Sequence, residues 1–385
     1  KTQKKVAPMS ILRPFLARVI RHGQLTVLSP DGSSESFGAP AAGYPEVTVR
    51  FTTRKGMRRI ILDPRLGAAE AFMDGEMEIV QGDIMELIGL LRANTPWDRG
   101  AKLKDKTALG EWIEGVKTRL NSINRRRSSR ANVAHHYDIG NDLYRLFLDS
   151  DMQYSCAYWP RPDMTLEEAQ AAKKAHIAAK LALAPGQRVL DIGCGWGGMA
   201  IALAQLERVE VLGITLSEEQ LALARERAAA AGVADRVRFE LIDYRDLAER
   251  EVGGFDRIVS VGMFEHVGAA NFETFFRACA NLMTADGVMP LHTIGRFGKP
   301  GATDAFTRKY IFPGGYIPAL SETVAASEKS RLIVTDVETL RLHYALTLRQ
   351  WYARTLAHRD EIVAMMDERF YRMWTFYLAG ATAAF

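Results

Sequence analysis

The stretch Val189-Leu190-Asp191-Ile192-Gly193-Cys194-Gly195-Trp196-Gly197-Gly198 decides how this chain reads. A short apolar run carries an aspartate near its end and breaks into glycines before a helical pattern begins at Met199. That is a strand, a tight turn and a helix start. Glycine is required where the backbone takes angles that a Cβ opposes, and where a ligand must approach the main chain closely. The helix start then offers unpaired N–H groups and a positive dipole end. By itself the turn suits NAD, FAD, S-adenosylmethionine or plain tight packing.

Working outward, strand and helix patterns alternate as a parallel α/β sheet requires. Strands are expected at 188–192, 210–215, 237–241, 257–261 and 287–293, with helices at 199–205, 218–231 and 272–283. Ser217 followed by Gln220 predicts a capping box on the second helix. Segment 295–317, rich in Gly, aromatic and basic residues, reads as an insertion in the sheet scaffold. Segments 331–340, 346–357 and 361–376 complete or cover the unit.

At 385 residues the chain favours two domains over one. Its apolar runs fall far short of the ~20 residues a membrane span requires, and no signal-peptide pattern is present. Cys156, Cys194 and Cys279 are widely separated, so neither a disulfide framework nor a metal site is expected, and a reducing cytoplasm is the expected home. The net charge of +4 hides an asymmetry. Residues 1–130 hold 23 Lys+Arg against 14 Asp+Glu, or +9, and the rest hold 27 against 32, or −5. A basic front third attracts anionic lipid or nucleic acid alike through long-range electrostatics.

Residues 1–95 read as a small α+β domain with helical spacing at 11–19, alternating segments at 25–28, 47–51 and 59–62, and helical patterns at 67–73 and 83–91. Segment 96–130 reads as a basic linker that includes an amphipathic stretch at 112–123. Its run Asn124-Arg125-Arg126-Arg127-Ser128-Ser129-Arg130 is either a solvated connector or a phosphate-contacting segment.

The chemistry-bearing residues fall at strand ends, where open α/β sheets bind ligands. The second strand ends without the carboxylate that would hold a ribose, leaving Thr215, Ser217 and Gln220 as the polar groups there. Asp243 and Tyr244 follow the third strand and suit an adenine amino group and ring face. Met263-Phe264-Glu265-His266 follows the fourth.

Together with Tyr154-Ser155-Cys156, the opening segment His136-Tyr137-Asp138-Ile139-Gly140-Asn141-Asp142 and His292-Thr293-Ile294-Gly295, these motifs resemble the cyclopropane-fatty-acyl-phospholipid synthases, relatives of the mycolic acid cyclopropane synthases. The resemblance covers about residues 131–385. It implies a Rossmann-like class I S-adenosylmethionine-dependent methyltransferase domain behind the smaller N-terminal α+β domain, with an acyl-chain-binding insertion at about 295–345. It also implies methylene transfer to a cis double bond through methyl transfer, a carbocation and deprotonation by bound bicarbonate. On this resemblance Asp191, Gly193 and Gly195, with Tyr154 and Ser155, hold the methionine part of the cofactor; Thr215, Ser217 and Gln220 take the ribose, and Asp243 and Tyr244 the adenine. Cys156, Glu265, His292, the Ile294 backbone and Tyr344 hold bicarbonate. No metal is expected. The implied partners are a phospholipid membrane surface and its unsaturated acyl chains rather than nucleic acid, with the protein docked peripherally on the inner membrane as a homodimer.

Each residue keeps a plainer reading. Cys156 reads equally as a small buried hydrophobe, and His292 as a core histidine. Tyr310, Phe312 and Tyr316 are expected to line an acyl channel, and Phe272, Phe275 and Phe276 either line it too or are ordinary helix core at i, i+3, i+4 spacing. Three rival functions stand beside the first: a fatty acyl methyltransferase giving a branched or methylene product, an amine N-methyltransferase, and a binding protein without turnover.

Overall fold

The computed structural model describes residues 8–64, 66–94 and 140–385. The chain divides into two compact units, one of residues 1–106, 305–310 and 344–385, the other of 107–304 and 311–343. The sequence reading runs the C-terminal domain on to 385, whereas the tail groups with the front third. The amphipathic stretch 112–123, the basic run 124–130 and segment 131–139 lie outside the described residues.

In the first unit, strands β1 (Gly23–Leu28), β2 (Ser34–Ala39), β3 (Glu46–Phe51) and β4 (Met77–Gln81) form a sheet of order β2-β1-β3-β4. Helices α1 (Pro8–Val19), α2 (Arg54–Leu62), α3 (Leu66–Met73) and α4 (Ile84–Asn94) accompany it. Segment 59–62, expected to alternate as a strand, is the end of α2. Thr53 caps that helix by accepting the Gly56 N–H, and Gly56 and Met57 are its buried residues. The tail explains its own grouping. Its final helix, Glu368–Thr382, sets Phe376 against Phe72, and Arg369 Nε donates to Asp74 at 2.9 Å. Arg92 reaches the Ala383 carbonyl at 3.2 Å. These partners lie some 300 residues apart in sequence, so no local pattern announces them.

The second unit carries the sheet that positions the site. Strands β5 (Arg188–Ile192), β6 (Glu210–Thr215), β7 (Val237–Leu241), β8 (Phe255–Val261) and β10 (Leu291–His292) lie in the order β10-β8-β5-β6-β7, and β9 (Met283–Val288) also pairs with β8. All pairings are parallel. The single strand expected at 287–293 is thus two short ones. Pro290, between them, has no N–H for a ladder. Helices α5 (Asn141–Phe147), α6 (Leu166–Leu181), α7 (Gly198–Leu206), α8 (Glu218–Ala230), α9 (Tyr244–Arg250) and α10 (Phe272–Leu282) precede and link the strands. Segment 331–340 forms neither helix nor strand.

Alternation along β5 splits the core. Val189 packs with Met199, Leu203, Val211 and Phe239, while Leu190 and Ile192 pack with Ile258, Phe264, Phe275 and Leu282. The chain passes from β5 outward to β7 and then crosses back to β8 on the other side of β5. That reversal opens a crevice at the strands' carboxyl ends, the topological switch point where such sheets bind ligands. Phe272, Phe275 and Phe276 are buried against Phe264, so the core reading of that helix is the one observed. Among the described residues no helix is long and apolar enough to cross a membrane.

Gly197 and Gly186 both have φ near +81°, but a Cβ on Gly197 would stand 2.7 Å from Phe239 and 3.0 Å from Ala224, whereas a Cβ on Gly186 meets nothing within 4 Å. Gly186→Ala is expected to lose about 1 kcal/mol for the backbone angle, and Gly197→Ala about 1–3 kcal/mol more for overpacking. Urea midpoints test this; equal losses would mean that the ring moves aside freely.

Candidate active site

The glycine turn sits where the sequence places it. Gly193, Gly195 and Gly197 have φ of 80°, 55° and 81°, and the N–H groups of Gly193 and Cys194 both donate to the Ile214 carbonyl, at 2.9 and 3.0 Å. This ties the turn to the end of β6. Tyr154, Ser155, Asp191, Gly193, Gly195, Thr215, Gln220, Asp243 and Tyr244, nine of the ten expected cofactor residues, line one pocket. Ser217 does not line it. Its Oγ instead accepts the Gln220 N–H at 3.2 Å and caps α8. The return half of the expected capping box is not made, because the Ser217 N–H donates to Thr215 Oγ1 at 3.2 Å, and Thr215 Oγ1 in turn donates to Gln220 Oε1 at 3.0 Å. That bond leaves the Gln220 amide N–H groups as the donors available to a ligand.

Asp191 is 1% exposed. Burial raises its pKa to about 7, against the pull of the Lys173 charge and the Ala200 N–H. Its Oδ2 has no hydrogen-bond partner among the described residues. A buried carboxylate oxygen left open beside a glycine turn suits a cationic ligand group. Asp243 behaves differently. Arg245 grips its carboxylate with Nε at 2.7 Å and Nη2 at 2.6 Å, and lies over the Tyr244 ring. Arg245 lines the same pocket and was not among the expected residues.

Of the five residues expected to hold bicarbonate, Cys156, Glu265, His292 and Ile294 lie in the second unit and Tyr344 in the first, where its ring packs on Phe385 and Trp351. Glu265 follows β8 on a short 3-10 turn, Phe264–His266. Its Oε1 accepts the Ile294 N–H at 2.6 Å, so the backbone donor expected for bicarbonate is engaged by the glutamate itself. Oε2 is buried and unpartnered among the described residues, and burial raises the carboxyl pKa. Burial also holds His292 and His266 neutral, both with pKa near 4. The Cys156 thiol is pushed up to about 12 by burial, and Sγ–H points to the Ala157 carbonyl at 3.3 Å. His266 lines the cofactor pocket and meets Phe312 edge-on. Among the described residues no group of side chains is arranged to hold a metal ion.

Sequence reasoning missed the apparatus behind Tyr154 and Ser155. Lys173 is 1% exposed and donates to Gln153 Oε1 at 2.6 Å and Ser155 Oγ at 2.8 Å, while Gln170 Nε2 donates to the Gln153 and Ser155 carbonyls. The signal was present in Leu166, Ala169, Gln170, Lys173, Ile177 and Leu181, which form the buried stripe of α6 and include two polar residues.

The profile of the mycolic acid cyclopropane synthetase family matches residues 124–385. The chain belongs to that family. It is an S-adenosylmethionine-dependent methyltransferase by class, and its sheet and glycine turn are those of this fold. The cyclopropane-fatty-acyl-phospholipid synthase of Escherichia coli K12 is 39% identical over 348 residues, covering 90% of this chain and 87% of that protein. A probable fatty acid methyltransferase of Pseudomonas putida is 39% identical over 321 residues, covering 82% and 77%. Among solved structures, mycolic acid cyclopropane synthase CmaA1 complexed with SAH and CTAB superposes with a TM-score of 0.61 at 37% identity, covering 66% of this chain and 92% of that one.

The Asp191 carboxyl titrates near 7 when folded and near 4 when unfolded. The folded state therefore holds an extra proton across that window, and this group's contribution makes stability fall as pH rises from about 4 to about 7. Asp191→Asn in the ligand-free protein is expected to remove that contribution. Unfolding midpoints measured against pH for both proteins check it, and parallel profiles would refute the buried-acid account.

Proposed function

We propose that this protein is a cyclopropane-fatty-acyl-phospholipid synthase that transfers a methylene group from S-adenosylmethionine to the cis double bond of an unsaturated phospholipid acyl chain. The residues fit the cofactor. The open Asp191 oxygen suits the ammonium of its amino-acid end, Gln220 the ribose, and the Tyr244–Arg245 corner the adenine. When bound, S-adenosylmethionine supplies an electrophilic methyl group. The relatives' names and the SAH complex of CmaA1 support the same assignment.

Glu265 carries the reading toward ring formation. Methylating an alkene leaves a carbocation on the acyl chain, and closing the ring requires loss of a proton from the new methyl while water is kept away. A buried glutamate with one oxygen fixed on the Ile294 N–H and the other open is an acceptor suited to that proton or to its carrier. Bicarbonate is the carrier in this reading, with the unpartnered Glu265 Oε2 to accept from its hydroxyl. An N-methyltransferase needs no such acceptor. The basic excess of residues 1–130 supports attraction to an anionic inner-membrane surface, each charge worth about 1 kcal/mol near the bilayer.

Incubating the protein with S-adenosylmethionine and vesicles of cis-unsaturated phospholipid should add one CH2 to the acyl chains, and the product should resist mild hydrogenation. A gain that hydrogenation reduces would establish the fatty acyl methyltransferase named for the Pseudomonas putida relative, and a gain on the headgroup an N-methyltransferase. Glu265→Gln is expected to slow turnover by about 10²-fold or more while leaving S-adenosylhomocysteine binding intact. Unchanged turnover would remove Glu265 from the mechanism.

A further inference from the structure

Residues 149–155 form a strap along one side of the cofactor pocket, held by its own Asp149 and by side chains of neighbouring helices. Asp149 accepts the Asp151 and Gln153 N–H groups at 3.1 and 2.8 Å, and Met152 takes a left-handed φ of 54°. Asp151 is gripped by Lys174 at 2.5 Å and by Arg227. The strap lies so close to the start of α7 that a Cβ on Gly198 would stand 2.3 Å from Gln153 Nε2. From α6, Gln170 fixes the two carbonyls and Lys173 fixes the two side chains of Gln153 and Ser155.

The buried ammonium is charged at neutral pH. Burial lowers its pKa to about 8, and Asp149 and Asp151 hold it up. An ammonium only donates. Ser155 Oγ therefore spends a lone pair on Lys173, and the serine's own proton must point elsewhere. Ser155 lines the pocket together with Asp191.

We propose that Lys173 is a positioning residue for the cofactor: its ammonium fixes Ser155 so that the hydroxyl donates into the pocket, to the carboxylate of the amino-acid end of S-adenosylmethionine. The inference rests on the cofactor reading above. It divides the zwitterionic end of that ligand between two partners of opposite kind. The open Asp191 oxygen accepts from the ammonium, and Ser155 donates to the carboxylate. Lys173 itself does not line the pocket.

Two ligands with the same adenosine separate this role from a structural one. S-adenosylhomocysteine carries the amino-acid end, and 5′-methylthioadenosine lacks it. By calorimetry, Lys173→Met should weaken S-adenosylhomocysteine by about 10-fold or more and 5′-methylthioadenosine by less than about 2-fold. Ser155→Ala should show the same split, and the double variant should bind little worse than either single one. Equal weakening of both ligands, or additive losses, would overturn the proposal. If Lys173→Met does not fold, Ser155→Ala carries the comparison alone, and an unchanged ratio of the two affinities overturns it. Wild-type protein that binds neither nucleoside would overturn the cofactor reading itself, and the inference with it.

Discussion

An ionisable carboxylate held at the end of the most buried strand is the constraint around which the second unit is built. β5 has β6 on one side and β8 on the other, and its side chains alternate between two apolar faces. Asp191 interrupts that pattern with a group that water would solvate far better. Its pKa near 7 records the strain. Three features answer it. The following glycines carry the chain away at once, the Ala200 N–H at the helix start leans on the carboxylate, and the Lys173 charge stands behind it. What remains is a single buried oxygen without a partner among the described residues, on a side chain whose residue lines the pocket. In the proposed reading a ligand cation completes the set, and the ligand-free fold holds a preference for that charge.

That preference needs a second wall, and the sheet does not provide it. The wall is the strap of residues 149–155, which has no ladder of its own and is ordered by side chains from α6 and by Asp149. Its closeness to α7 depends on the missing side chain of Gly198. One helix face, Gln170 and Lys173, therefore determines where Ser155 sits, and the Lys173 charge also acts on Cys156 and His292. Asp191, Cys156 and His292 thus feel one buried cation.

Much of this was legible in the sequence, and the rest was hidden for identifiable reasons. Strands β5, β6 and β7 match their expected bounds because parallel strands buried on both faces read as short apolar runs between turn signals. Segment 59–62 misled because two arginines before two isoleucines and a leucine resemble a strand edge, whereas the helix is set by the Thr53 cap upstream. The tail's place in the first unit rests on contacts such as Phe376 with Phe72, which no local pattern encodes. Lys173 stayed hidden because it is followed by Lys174 and, about two turns later, by Lys180, and composition does not say which of three lysines faces inward. Only the stripe from Leu166 to Leu181 does.

The same burial that strains Asp191 keeps His292, His266 and Cys156 uncharged. His292 and His266 are neutral, the Cys156 thiol keeps its proton, and burial raises the Glu265 carboxyl pKa while one of its oxygens rests on a backbone N–H. In the proposed reading such a site presents no charged imidazole to repel a positively charged acyl intermediate and no thiolate to trap it. A free thiolate or a basic histidine there would capture the carbocation as a covalent adduct, so low basicity has a chemical purpose in this reading. The open Glu265 oxygen then gains its strength as an acceptor only when positive charge develops beside it, which favours the transition state over the resting substrate.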